Sequence, residues 1–120
     1  MCNYHTCYQN DTKGYIVQCT ECRRLQMGYG NIMIVFYPSE FESFRKLVKD
    51  LHCKEQPEER RQVKHIVIPT PSDCVRLLLS QDDLAELHGM LEEADNEIKA
   101  KQLLQLFAAP ASKSNDGEIG

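Results

Sequence analysis

The sequence predicts an α+β protein: a hairpin at the N-terminus, then an antiparallel sheet with two helices on one face. Three observations lead there. Short apolar runs bounded by turn residues read as strands. Two longer stretches space their apolar residues by three and four behind a capping signal, as amphipathic helices do. The strand-then-helix unit occurs twice, at a constant offset of 43 residues, which suggests a ββα-ββα pseudo-repeat. The 120 residues suffice for one domain with its own core.

The elements follow in order. Asn10-Asp11-Thr12-Lys13-Gly14 is a turn cluster, and Tyr15-Ile16-Val17 begins a strand that runs into Cys19 and Cys22. A second strand, Arg23 to Met27, leaves that turn and completes the hairpin. Gly28-Tyr29-Gly30-Asn31 punctuates the chain. Ile32 to Phe36 is a continuous apolar run, expected as a central strand covered on both faces. Pro38 and a Ser39-x-x-Glu42 capping box open a helix whose buried stripe is Phe41, Phe44, Leu47, Val48 and Leu51. It ends near His52-Cys53, and a charged linker with Pro57 inside it follows. Val63, Ile66 and Ile68 mark a strand, Pro69 to Asp73 a turn, and Cys74 to Leu79 the strand that pairs back. Ser80-x-x-Asp83 starts a second helix with stripe Leu84, Leu87, Leu91, Ala94 and Ile98. From Leu103 to Phe107 the stripe changes face, so the helix bends there or its last turns meet something else. The organisation expected is a hairpin segment over 1–30, a body over 31–107 and a disordered tail over 108–120.

Hydrophobic content of 42% and charged content of 27% are ordinary for a globular protein. A net charge of -4 disfavours a general nucleic-acid binder, which needs a basic face. The start MCNYHTCYQN has neither the basic nor the apolar region of an export signal, and no stretch is long and apolar enough for a membrane span. Those features point to the cytoplasm, where thiols stay reduced, so the six cysteines are not expected to form a disulfide framework.

Four residues stand out chemically. Cys2-x2-His5 is followed by Cys19-x2-Cys22, two short pairs separated by a loop. Tetrahedral zinc is held in this way: each pair aims two side chains at one point, and the loop brings the pairs together. Cys7 is the alternative to His5; His5 has the tighter spacing of a zinc knuckle. Four protein ligands would close the shell, which makes the ion structural.

Other candidates are weaker. His52-Cys53, Cys74, His65 and His88 supply thiols and imidazoles, but nothing marks a nucleophile at a helix start or an oxyanion loop. Gly28-x-Gly30 precedes a strand, so it lacks the helix dipole of a phosphate loop. Arg23-Arg24 beside Tyr15 and Tyr29 is the best nucleic-acid edge, though a small one. Glu92-Glu93-Asp95-Glu97 reads as the wet face of a helix.

Residues 2–22 resemble a zinc ribbon. The whole chain also resembles a family of small uncharacterised bacterial proteins of the Bacteroidetes type. The shared features are the Cys-x2-His and Cys-x2-Cys pairs, the Gly-Asn turn into an apolar strand, and the helix-opening dipeptides Glu40-Phe41 and Asp83-Leu84. Cys7, Cys53 and Cys74 fall outside that pattern. The resemblance implies a fold and no activity. Together these readings lead to a non-enzymatic interaction or regulatory module with a structural zinc ion and a protein partner. The alternatives are a nucleic-acid-associated factor using the Arg23-Arg24 edge and a thiol enzyme or redox sensor using Cys53 or Cys74. Leu103, Leu104, Leu106 and Phe107 form an apolar cluster suited to a homodimer.

Overall fold

The computed structural model describes residues 3–54 and 62–113, with side chains described as far as 107. The chain is α+β, as the sequence predicts. Strands β1 (Tyr4–Asn10), β2 (Gly14–Cys19), β3 (Leu25–Tyr29) and β4 (Ile32–Phe36) form one antiparallel meander in that order. Helix α1 (Pro38–Cys53) follows, then the hairpin β5 (Ile66–Pro69) and β6 (Arg76–Leu79), then helix α2 (Gln81–Lys113).

Two of the strands differ from expectation. β1 was not foreseen, because its sequence YHTCYQN is largely polar and offers no clean alternation. A bulge between Thr6 and Tyr8 turns the buried Cys7 into the core. β1 and β2 are therefore the first half of a four-stranded sheet, and the Gly30 turn at the expected boundary joins β3 to β4 within it. β4 lies at the edge of that sheet rather than at its centre. Ile34 and Phe36 face the core, while Met33 and Val35 are 57% and 48% exposed. An unbroken apolar run thus conceals an alternating strand.

Gly28 and Gly30 shape the second half of this sheet. Gly30 has φ 61°, which opens the two-residue turn between β3 and β4. Gly28 lies within β3, where a Cβ would come 2.2 Å from Tyr15 Cε1, so the tyrosine ring covers a bare stretch of backbone.

The helix signals are clear, with one shift of register. Pro38 begins α1, and the carboxylate reaching back is that of Glu40, which accepts from the Tyr37 N–H at 2.8 Å. Glu42, expected in that role, instead takes two guanidinium hydrogen bonds from Arg45. At α2 the box is the one expected. Ser80 N–H donates to Asp83 Oδ2 at 3.0 Å, and Asp83 N–H to Ser80 Oγ at 3.1 Å. Burial and the Lys64 ammonium act oppositely on the Asp83 carboxyl; the ammonium and the Ser80 donors prevail and hold it below the usual range. Tyr29 ties β3 to this helix start, its single O–H shared between the Asp83 carbonyl at 3.1 Å and Glu86 Oε1 at 3.2 Å.

The helices pack against each other; α1 meets β4, and α2 meets β1 and β2. The pseudo-repeat survives in burial: Ile34, Phe36, Phe41, Phe44 and Val48 match Leu77, Leu79, Leu84, Leu87 and Leu91, all buried. The hairpins of the two halves nevertheless stay in separate sheets. The α1–α2 seam contains a buried ion cluster. Arg45, 7% exposed, donates to Glu42 and to Glu92 at 2.9 Å and lies 3.7 Å from Asp95, which also pairs with Lys99. The acidic run expected to be solvated is thus partly interior. No helix of the described residues is long and apolar enough to cross a membrane.

Candidate metal centre

β2 ends at Cys19, the chain turns through residues 20–24, and β3 begins at Leu25. Within that turn the Cys19 Sγ accepts two backbone N–H groups, those of Glu21 and Cys22, each at 3.4 Å. Two amide dipoles converging on one sulfur suit a thiolate better than a thiol. The turn is closed by Arg23 N–H to the Cys19 carbonyl at 3.0 Å and Cys19 N–H to the Arg24 carbonyl at 2.9 Å. Arg23 takes φ 71°, a left-handed conformation costing a non-glycine residue about 1–2 kcal/mol. Gln18 Nε2 holds it by donating to its carbonyl at 3.0 Å. Cys22, one residue earlier, is exposed.

The N-terminal segment is bound to this knuckle. Thr20 N–H and Oγ1 both donate to the Asn3 carbonyl, at 2.7 and 3.1 Å. Cys2, the chain neighbour of Asn3, lies outside the described residues. His5 lies in β1, not on a tight turn as its pair spacing suggested. β1 pairing sets it opposite Gln18, with Tyr4 opposite Cys19. His5 and Cys19 border one cleft of about 40 Å³ with Thr20, Arg23, Ile98 and Lys101. That volume has room for an ion or a few waters. His5 Nε2 lies 3.0 Å from Glu97 Oε2 of α2.

The alternative ligand is placed differently. Cys7 is buried among core side chains, and its Sγ donates to the His5 carbonyl at 3.7 Å. Burial, with Glu97 adding to it, pushes its pKa up to about 11, the opposite of what a metal-bound thiolate needs. Cys53 and Cys74 are exposed at the end of α1 and before β6. Arg24 stacks 4.6 Å over the Tyr37 ring and donates to its hydroxyl at 2.9 Å, so the arginine edge has one cation already engaged.

The structure therefore places His5 and Cys19 on one cleft and builds a thiolate-favouring turn over Cys19-x2-Cys22. Among the described residues, no three His, Cys, Asp or Glu side chains form a ready metal-binding group. Glu97 and Asn3 are the participants the sequence concealed. The His5–Glu97 contact spans 92 positions, and no local pattern announces it.

In comparisons with known proteins, the model of a family described only as being of unknown function matches residues 1–108, in keeping with the resemblance to an uncharacterised family. No curated protein and no solved structure matches the chain.

Proposed function

The chain belongs to that family of unknown function, DUF6686, and from this premise we propose a cytoplasmic, non-enzymatic interaction or regulatory module. Its N-terminal hairpin holds one structural zinc ion on Cys2, His5, Cys19 and Cys22, in the manner of a zinc ribbon. The observation that carries the reading is the Cys19 sulfur accepting two amide hydrogens within a Cys-x2-Cys turn. The donor set agrees with it: three cysteines and one histidine, with Asn3 bonded to Thr20 beside the turn. Zinc bound there would cross-link the N-terminal segment to the β2–β3 turn and contribute folding free energy to both. Its partner surface is the outer side of distal α2, where Leu103, Leu104, Leu106 and Phe107 are 54–75% exposed, and the partner is a second copy of the chain. A nucleic-acid role for the Arg23-Arg24 edge draws less support, since Arg24 is stacked on Tyr37 and the chain is acidic overall.

Metal analysis of protein expressed with added zinc tests the core of the reading. About one zinc per chain is expected, lost in Cys19→Ser and retained in Cys7→Ser. Site formation in zinc peptides is worth on the order of 10–16 kcal/mol, so the loss should be plain. Protein that leaves a desalting column with no zinc would refute the proposal. Zinc lost in Cys7→Ser but kept in His5→Ala would move the fourth ligand to Cys7.

A further inference from the structure

His5 reaches the cleft from β1 on the side of the sheet that faces α2. Its Nε2 lies 3.0 Å from Glu97 Oε2. A carboxylate has no proton to give near neutral pH, so Nε2 carries the hydrogen and donates it. In the neutral ring, the form that ligates a metal, Nδ1 then keeps the lone pair and is the atom able to bind a cation.

Two other acids of this stretch of α2 face away from His5: Glu92 and Asp95 meet Arg45, and Asp95 also holds Lys99. Glu97 alone among these three is aimed at the N-terminal hairpin. We infer that Glu97 is the positioning residue of the zinc site, holding His5 in the Nε2–H tautomer and presenting Nδ1 to the ion. This rests on the zinc reading above and adds to it a ligand atom and a partner on another element. Metal-bound histidines regularly donate their second N–H to a carboxylate, which sets the tautomer and raises the ring's basicity. The same contact joins the metal site to α2, so an occupied site would fasten the hairpin to the long helix.

Zinc affinity measured by competition with a chelating dye tests the inference, on wild type, Glu97→Ala, Glu97→Gln, His5→Ala and the His5→Ala/Glu97→Ala pair. Loss of such a carboxylate should weaken binding about 10–100-fold in Glu97→Ala. Glu97→Gln should recover part of this, because its amide oxygen still accepts. In the His5→Ala background, Glu97→Ala should change nothing further. Nitrogen-15 NMR of the zinc-loaded protein should show His5 bound through Nδ1 and protonated at Nε2. Wild-type affinity in Glu97→Ala, a loss that persists without His5, or zinc on Nε2 would each overturn the role given to Glu97 while leaving the metal in place. A wild-type protein that takes up no zinc would instead remove the reading beneath it.

Discussion

Arg45 is the residue on which the packing of the two helices most depends. Its guanidinium is nearly inaccessible and meets three carboxylates: Glu42 on its own helix, and Glu92 and Asp95 on the other. Hydrogen bonding to Arg45 holds the Glu42 carboxyl below the usual range, and the same bonds push the guanidinium up. A cluster of this kind gives modest net stability when intact, because both signs lose water. Removing the cation alone is another matter. The buried Asp95 is then left with only the largely exposed Lys99 as counter-charge, and Glu42 and Glu92 lose their shared partner. Arg45→Ala should therefore cost about 3 kcal/mol, toward the low end for a buried pair because Glu42 and Glu92 keep some water. Glu93→Lys, on the exposed side of the same helix, should stay within about 0.5 kcal/mol. Urea denaturation of the two variants checks the contrast. Equal costs would mean that the acidic run is solvated throughout, as its sequence suggests.

At the scale of elements, the end of α1 and the first third of α2 meet through His52 and His88. Their rings stack 4.5 Å apart, 25° from parallel. Burial draws the His88 pKa below its usual 6.5, and a charge on His52, with Lys49 and Arg45, works the same way; Glu92 opposes them. The unfolded chain therefore takes up this proton at a higher pH than the folded chain does. As pH falls below 6.5 the unfolded state binds more protons, so stability declines through that window and is fully present above it. Denaturation midpoints at pH 7.5 and 5.5 should show this loss, and His88→Gln should lose less over the same interval. A variant that matches the wild type in slope would assign the acid sensitivity elsewhere. The sequence announced these elements unevenly. α1, α2 and the Ser80–Asp83 box were legible because three-and-four spacing and capping are local. β1 was not, since its place comes from pairing with β2 and from a bulge that only the partner strand defines. The edge position of β4 escaped for a like reason: an apolar run shows that a strand can be buried on both sides, not that it is. In the candidate site, the Cys19-x2-Cys22 turn was legible from spacing, whereas Glu97 was hidden by distance along the chain.

For the molecule as a whole, the proportions of α2 raise the question of what covers it. Its 33 residues reach roughly 50 Å at about 1.5 Å per residue, and its buried stripe closes at Ala94 and the half-buried Ile98. The helix then continues unbroken through Lys113. It does not bend to return Leu103–Phe107 to the core, the course that the change of face left open. Its inner side beyond Ile98 becomes polar, with Lys101, Gln102 and Gln105 bordering the cleft of Cys19 and His5. About half a turn around the helix, Leu103, Leu104 and Phe107 lie at 54%, 67% and 75% exposure, and Leu106 at 70%. An apolar face turned away from its own domain is unfavourable in water. Two copies can cover it reciprocally about a two-fold axis, because the same face then serves both partners. Light scattering coupled to size exclusion should accordingly find a dimer. The double variant Leu104→Glu/Phe107→Glu should be a monomer with the wild-type circular dichroism, since neither side chain contributes to the core. A wild-type monomer at tens of micromolar would dispose of the second copy as occupant. A variant that unfolds would return these side chains to the interior and contradict their exposure.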